Sequence, residues 1–588
     1  MKTLRVPVLA LALLVTTVVP VRSQFDEVGS IDFPTSVTGE AQHYFLRGVA
    51  ILHSFGWKQA IEQFHAAQAI DPDFAMAYWG ESLAYNHPLN SRMAVDQPRE
   101  ALGRLAPTPA DRLAKAPTSR EKGLLSAVEV LWGEGDHVQR RIGYMLAMER
   151  LYETYPDDPE IGAFYSLSML SAAGAVRSGY TPPAPMMMLS EDTGTADAQG
   201  QHNMPSMDMP VALPRLPGRT GAEIAERLSV GAGAIAQSLF TDNPDHPGAP
   251  HYIIHSFDDP LHAPMALEAA YRFSEIAPAV SHARHMPTHI FIQLGMWDRV
   301  SANNQSAYEA AADLWVAGDD MGAGVHALDW GQYGDLQLGN YDKAKLWIRR
   351  LEVMANGGGF LGHKERGEPG HPGMTRAVNT LDLVKARYVV ETEEWSIQPV
   401  TEESTPNELL ATALSAYHLD DQEALGQAEA ALADATGQRA DIIYKQVSAL
   451  YHAGMGHGDY AIELMQEAQT AVEALPPPRG AASPIKPVHE LFGELLMDLG
   501  RPLEAIEKFE ASLLRMPERP RSLLGLGRAF AATGNTVMAG PSYEKLAEMW
   551  AGHEEIPGML EARGFWRMHL TGRHHGDMGP MDYARLGM

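Results

Sequence analysis

The segment GELLMDLGRPLEAIEKF at residues 493–509 indicates the fold, because its pattern of small and aromatic residues recurs 34 residues later in GRAFAATGNTVMAGPSY at residues 527–543. Four positions match at this single spacing, which pairs Gly493 with Gly527, Gly500 with Gly534, Ala505 with Ala539 and Phe509 with Tyr543. A turn glycine followed five residues later by an alanine is typical of two helices whose backbones approach closely. The period predicts helical hairpins that stack side by side, each burying its apolar face against its neighbours.

Partial copies of the pattern occur upstream. The turn glycine and its alanine recur as Gly339 with Ala344 and as Gly456 with Ala461. Near the N-terminus the expected offsets hold Gly48, Ala60, Phe64, Ala67 and Pro72. From about residue 41 to 550 the chain therefore resembles the tetratricopeptide repeat superfamily, most clearly in its last third. The resemblance implies an all-α, tetratricopeptide-type solenoid of helical hairpins whose concave groove binds a protein or peptide segment.

Composition excludes several classes of function. The chain has 588 residues, 45% of them hydrophobic and 20% charged, which predicts a folded protein. Its net charge of −28 opposes binding to phosphate backbones, so no nucleic-acid partner is expected. Cysteine is absent, which excludes disulfides, thiol catalysis and cysteine-ligated zinc. No phosphate-binding loop or serine-hydrolase elbow occurs, so no nucleotide cofactor is expected either.

The N-terminus predicts export. Lys2 and Arg5 precede an apolar run at residues 6–19, and Ser23 supplies a small residue at the expected cleavage point. The run is shorter than the roughly 20 residues of a spanning helix, which makes an uncleaved anchor the weaker alternative. We expect a periplasmic or extracellular protein with no membrane span in the mature chain.

Changes in composition divide the chain into six predicted segments. They are a signal peptide at 1–23, N-terminal repeat-like helices at 24–173, a flexible Pro- and Met-rich insertion at 174–222, a central His-rich region at 223–400, C-terminal repeats at 401–550 and a non-repeat tail at 551–588. A stretch rich in glycine and proline at 356–373 predicts a long loop.

Methionine and histidine occur together in the insertion and in the tail. The residues are Met186, Met187, Met188, His202, Met204, Met207 and Met209, followed by His574, His575, Met578 and Met581. Thioether ligands select Cu(I), so these clusters suggest copper capture, although methionine is also a common filler of loops.

Histidine is concentrated in the centre of the chain, where seven of the 24 His lie between residues 246 and 289. His251 and His255 are one helical turn apart, on a helix expected to start near Pro250 and to end by Pro260. A second pair is His285 and His289, separated by Pro287, which suits a first helical turn. On this interpretation His289 lies on a helix, whereas His282 and His285 lie in the connection before it.

The two pairs fall in adjacent predicted hairpins and so can converge on one transition-metal site, with His326 or Asp329 of the next hairpin completing it. Imidazole ligands suit copper, zinc or iron. Secondary ligand candidates are His53, His87, His246 and His282. The His-Glu-x-x-His pattern of zinc proteases is missing, whereas paired His-x3-His helices are also found in dicopper sites. The alternative is structural, because a histidine at a helix end often satisfies a backbone carbonyl.

Several strings are similar to a family of exported bacterial tetratricopeptide proteins, over about residues 30–350. The most specific are HPGxxHYxIH at residues 246–255 and HMPTHIF at residues 285–291. The resemblance implies the fold and export.

Two functions are therefore open. The first is an exported solenoid that acts as a protein-binding or assembly module, with or without a metal site. The alternative is a copper-, zinc- or iron-dependent enzyme, such as an oxidoreductase, that uses the central histidines. The sequence leaves the oligomeric state open.

Overall fold

The computed structural model describes residues 27–89, 94–177, 220–363 and 373–571. Within these ranges all regular secondary structure is helical, which confirms the predicted all-α class. The predicted signal peptide, the Met/His cluster of the insertion and the Met/His cluster of the tail lie outside the described residues. None of the described helices combines the length and the apolar character needed to span a bilayer.

The helices of the first half are α1 (Glu40–His53), α2 (Trp57–Ile70), α3 (Ala75–Ala84), α4 (Asp96–Leu105), α5 (Pro109–Ala114), α6 (Ser119–Leu131), α7 (His137–Thr154), α8 (Pro159–Arg177), α9 (Gly221–Asp242), α10 (Gly248–Ser256), α11 (Leu267–Ile276), α12 (Ser281–His285) and α13 (Pro287–Gln293). Those of the second half are α14 (Trp297–Leu314), α15 (Gly322–Gln337), α16 (Tyr341–Ala355), α17 (Met374–Thr392), α18 (Pro406–His418), α19 (Gln422–Leu432), α20 (Gln438–Gly454), α21 (Gly458–Glu473), α22 (Val488–Asp498), α23 (Pro502–Arg515), α24 (Pro520–Ala532), α25 (Thr536–Met549) and α26 (Pro557–Thr571). Most contacts between helices join consecutive ones, as a solenoid of hairpins requires.

One packing unit recurs along the solenoid and explains the sequence pattern. Phe509 lies between Gly493 and Gly525, each 16 residues away, and a Cβ on either glycine would come within 3 Å of its ring. Phe64 lies in the same way between Gly48 and Gly80. The aromatic ring of one helix thus fills the space that glycine leaves on both neighbouring helices, which is how the repeat packs its backbones closely.

The predicted turn glycines end helices in the left-handed region. Gly339, Gly456, Gly500 and Gly534 have φ values of 79°, 81°, 73° and 77°. A residue with a Cβ is strained there, so glycine is the favoured residue at each helix end. These turns and the recurring packing unit confirm the tetratricopeptide-type hairpin.

The C-terminal hairpins fold back onto the central ones through polar contacts. The buried Arg519 side chain pairs with Glu490 at 2.6 Å and with Glu391 at 2.7 Å. Burial alone would lower the pKa of Arg519, but the two carboxylates raise it above its ordinary value. Trp297 Nε1 donates to the Glu518 carbonyl at 2.9 Å. The two halves therefore form one continuous body around the central helices.

The loop between α21 and α22 crosses to the central helices. Its Pro478 carbonyl accepts a hydrogen bond from Gln293 Nε2 at 3.1 Å. Its Gly480 backbone lies against Trp330, so closely that a Cβ would be 2.5 Å from the indole ring. Ala482 joins the apolar core of the N-terminal half. This loop therefore covers the region that carries the histidines.

Replacement of Gly525 by alanine should destabilise the C-terminal repeats, because the new Cβ meets the Phe509 ring. Overpacking of this kind costs about 1–3 kcal/mol. The control is Gly103→Ala on α4, where no atom lies within 4 Å of the added Cβ. Urea unfolding followed by circular dichroism should show a lower midpoint for Gly525→Ala and an unchanged or higher one for Gly103→Ala. Equal midpoints would contradict this packing account.

Candidate metal centre

The first string, HPGxxHYxIH, builds the start of α10. His246 Nδ1 accepts hydrogen bonds from the backbone N–H groups of Gly248 and Ala249, at 3.0 and 3.1 Å. The imidazole thus caps the first turn in the way that an aspartate often does. Pro250 lies in the same turn, where its missing N–H needs no helical partner. The helix begins early enough to place His251 and His255 on one face, as the sequence predicted.

A buried hydrogen-bond network holds the start of α10 in place. Glu160 accepts from His53 Nε2 at 2.8 Å and from His246 Nε2 at 3.2 Å. Tyr252 donates its hydroxyl hydrogen to His53 Nδ1 at 2.7 Å. Gly248 is required here, because a Cβ would lie 2.7 Å from His53 Nδ1. Every ring nitrogen of the two histidines has a partner, so this cluster is complete without a metal ion.

The network also lowers the pKa of Glu160. Burial alone would raise this pKa, but hydrogen bonds and charge from His246 and His53 outweigh burial and lower it to about 2. Glu160 is therefore an ionised acceptor shared by two imidazoles.

The first trio, which we define as His251, His255 and His282, lies next to this network. The Nε2 atom of His251 is 3.1 Å from that of His255 and 3.2 Å from that of His282. His251 Nδ1 can only donate to the His53 carbonyl, at 2.6 Å. The lone pair of its Nε2 atom therefore faces the other two rings.

The second string, HMPTHIF, forms two short helices. Pro287 opens α13, as predicted, and Thr288 donates its hydroxyl to the His285 carbonyl at 2.7 Å. The expectation that His282 and His285 lie in a connection is wrong, because both lie on the five-residue helix α12. Met286 alone separates α12 from α13, and the two helices bring His282 and His289 next to the histidines of α10.

The second trio consists of His285, His289 and His326, whose ligand nitrogens lie within 4.8 Å of one another. The Nε2 atoms of His285 and His289 are 3.3 Å apart. His285 Nδ1 bonds to Asn304 Oδ1 at 2.7 Å, and His289 Nδ1 bonds to Asp258 Oδ2 at 2.8 Å.

The two trios are neighbours. The ring centroids of His255 and His289 are 5.9 Å apart, and those of His282 and His285 are 6.3 Å apart. Trp330 covers the second trio, with its ring centroid 4.4 Å from that of His289. Six imidazoles therefore form one double cluster between the N-terminal helices and the loop from α21.

Distances and burial in the trios suit metal ligation. Nitrogens 3.1–3.3 Å apart, each 2.0–2.1 Å from one ion, subtend an angle of about 100° at that ion, near the tetrahedral value. Burial lowers the pKa of His251 and His285 to about 3. Burial and the neighbouring imidazoles also lower the pKa values of His255, His282 and His326 well below the usual 6.5. These rings are therefore neutral, which is the form that binds a metal ion.

The structure divides the predicted ligands in a way that the sequence did not predict. We expected His251, His255, His285 and His289 to share one site, but each pair has its own third histidine. His326 lies in the second trio, and His282, a secondary candidate, lies in the first. His282 lies three residues before His285, just outside the string HMPTHIF.

Four other candidates lie elsewhere. Asp329 is not in either trio, because its carboxylate pairs with Arg387 at 2.8 Å. His87 has a φ of 40° and lies against Trp57, 4.9 Å between ring centroids, outside all three His clusters. His53 and His246 serve the Glu160 network instead. Asn304, which the sequence gave no reason to select, orients His285.

No protein family model matches the chain, and no curated protein matches it. Among solved structures, yeast Tom70 is 12% identical, with 91% of this chain and 97% of that chain covered and a TM-score of 0.26. The Cut9–Hcn1 hetero-tetramer of the APC/C is 10% identical, with coverages of 92% and 79% and a TM-score of 0.31. The TPR domain of P58(IPK) is 13% identical, with coverages of 90% and 99% and a TM-score of 0.22. At these TM-scores the likeness carries no argument, and the architecture rests on the chain's own helices.

Replacement of Glu160 by glutamine should destabilise the chain, because one imidazole N–H then loses its buried acceptor. We expect a loss of roughly 2–3 kcal/mol at neutral pH. The folded pKa of about 2 lies below the usual 4.5, so the carboxylate stabilises the wild type above pH 4.5. That contribution disappears as the pH falls from 4.5 toward 2.

Thermal unfolding across that pH range is the measurement. The acid-induced fall in melting temperature should be smaller in Glu160→Gln than in the wild type. The control is Glu62→Gln, an exposed position on α2. Identical pH profiles for Glu160→Gln and the wild type would show that Glu160 does not hold this network together.

Proposed function

We propose that this protein is a metalloprotein whose two histidine trios bind a pair of transition metal ions. One observation carries the proposal: the Nε2 atoms of His285 and His289 lie 3.3 Å apart, while the Nδ1 atom of each ring bonds to an oxygen acceptor, which leaves both Nε2 lone pairs facing each other. The two facing lone pairs repel each other unless a cation lies between the nitrogens.

The direction of these lone pairs follows from the outer hydrogen bonds. Asn304 donates through Nδ2 to the Val300 carbonyl at 2.8 Å, which leaves its Oδ1 as the acceptor facing His285. Asp258 offers a carboxylate to His289. Both histidines therefore carry their proton on Nδ1 and leave Nε2 bare. A proton could be shared between the nitrogens of only two of the three rings in this trio, whereas a metal ion can bind a nitrogen of each ring.

The ligand set favours copper. Both trios consist of imidazole alone, and among the described residues no carboxylate completes either group. Two divalent ions would bring four positive charges into a partly buried site without any anionic ligand, whereas two cuprous ions bring two. Imidazole also suits zinc and iron, so metal analysis decides among them.

Each trio supplies three ligands, which is the number that leaves a position open for an exogenous molecule. His255, His282, His289 and His326 are partly exposed, so this position is within reach of solvent. These features support the alternative of a metal-dependent enzyme, which would be an oxidoreductase if the ions are copper.

The helical-hairpin fold is consistent with a protein-binding module, and a peptide in the groove stays a prediction. A cavity of about 740 Å³ lies beside Trp330 and Arg387 and offers a place for a partner segment. Export to the periplasm or the extracellular space also stays part of the proposal, on the strength of residues 1–23.

The full-length chain should bind close to two transition metal ions. We expect one ion in the variant that lacks His255 and His282, and one in the variant that lacks His289 and His326, all changed to alanine. The variant that lacks all four should bind none. Inductively coupled plasma analysis of untagged, copper- or zinc-loaded protein is the measurement.

The control changes His43 and His65, which lie on α1 and α2 outside both trios, and should keep two ions. Circular dichroism establishes that each variant is folded. A wild type that binds no metal, or a four-residue variant that still binds two ions, would refute the proposal.

A further inference from the structure

We propose that the two metal sites are unequal, and that Asp258 makes the second trio the tighter site for a divalent ion. This inference rests on the proposed function. It assigns to Asp258 the part of a positioning residue that acts on the metal through His289.

The contact is buried and well defined. Asp258 is 3% exposed and follows α10 by two residues. Its Oδ2 atom accepts the Nδ1 hydrogen of His289 at 2.8 Å, and its Oδ1 atom accepts from Gln293 Nε2 at 3.4 Å. Gln293 also donates to the Pro478 carbonyl of the α21–α22 loop. The carboxylate is thus held by two side chains of α13, and the loop in turn holds one of them.

A carboxylate behind a ligating imidazole changes the ligand. It withdraws the Nδ1 hydrogen toward itself, makes Nε2 more basic and places a negative charge behind the ring. A divalent ion gains more from that charge than a monovalent ion does, because the interaction scales with the ion's charge. Loss of such a partner typically weakens metal affinity 10- to 100-fold.

Within the described ranges, no carboxylate hydrogen-bonds to a histidine of the first trio. His251 donates to the backbone carbonyl of His53, which carries no net charge. Neither His255 nor His282 bonds through Nδ1 to any residue within the described ranges. The remaining support of the second trio, Asn304, is also neutral. Among the groups that hydrogen-bond to the ligating imidazoles within the described ranges, Asp258 is therefore the one charged partner.

The same contact links the sites physically. Asp258 lies just beyond the helix that carries His251 and His255, yet it supports a ligand of the other trio. The expected order of filling is the second trio first and the first trio after it. With zinc, we expect the two dissociation constants to differ by at least 10-fold.

The experiment is a zinc titration of the full-length chain against a chromophoric chelator, repeated with cuprous ion under anaerobic conditions. Asp258→Asn keeps an oxygen acceptor for His289 but removes the charge. It should weaken the tight zinc site 10- to 100-fold, leave the weaker site unchanged and alter cuprous affinity much less. Asp258→Glu should recover part of the zinc affinity.

The matched control is Asp259→Asn. Its carboxylate accepts from His262 Nδ1 at 2.8 Å, the same kind of contact, but His262 belongs to neither trio. This variant should titrate as the wild type does. The variant without His289 and His326 should lose the tight zinc site, and the variant without His255 and His282 should retain it.

Two equal zinc sites in the wild type would overturn the inference. It would also fail if Asp258→Asn weakened both sites and both metals alike, since that pattern indicates a structural role alone. A wild type that binds neither zinc nor cuprous ion would refute the proposed function itself, which is a separate and distinguishable result.

Discussion

Six imidazole rings meet at the centre of this molecule, and the direction of their protons constrains everything around them. In three rings the outer nitrogen donates to a fixed acceptor: the His53 carbonyl, Asn304 and Asp258. The inner nitrogens of these rings are then bare lone pairs, about 3 Å from other imidazole nitrogens. The facing lone pairs of His285 and His289 repel each other, so the surrounding helices must hold these rings in place, and a bound cation would relieve the repulsion.

The solenoid supplies that rigidity. The Glu160 network fixes the start of α10 from below, and glycine at position 248 makes room for it. On the other side, the loop from α21 reaches Gln293 and Trp330. Arg519 ties the C-terminal hairpins to the same central helices. Local capping, hairpin packing and long-range contacts thus converge on one region, as a preorganised binding site requires.

Much of this could be predicted from particular residues. The 34-residue period and the turn glycines predicted the hairpins because a tight turn and a close helix approach each demand a small residue at a fixed offset. The i, i+4 spacing predicted the shared face of His251 and His255. The division into two trios could not be predicted, because it depends on how α13 packs against α10 and how α12 packs against α15. Nor could the pairing of Asp329 with Arg387, since 58 residues separate them.

Occupancy of the two trios by metal ions can be seen in anomalous X-ray diffraction from crystals of the copper-loaded chain. We expect two anomalous peaks, each about 2.0–2.1 Å from the ligand nitrogens of one trio. Peaks elsewhere on the chain, or trios without a peak in copper-saturated crystals, would contradict it. In that case the six histidines would have to be explained as structural residues.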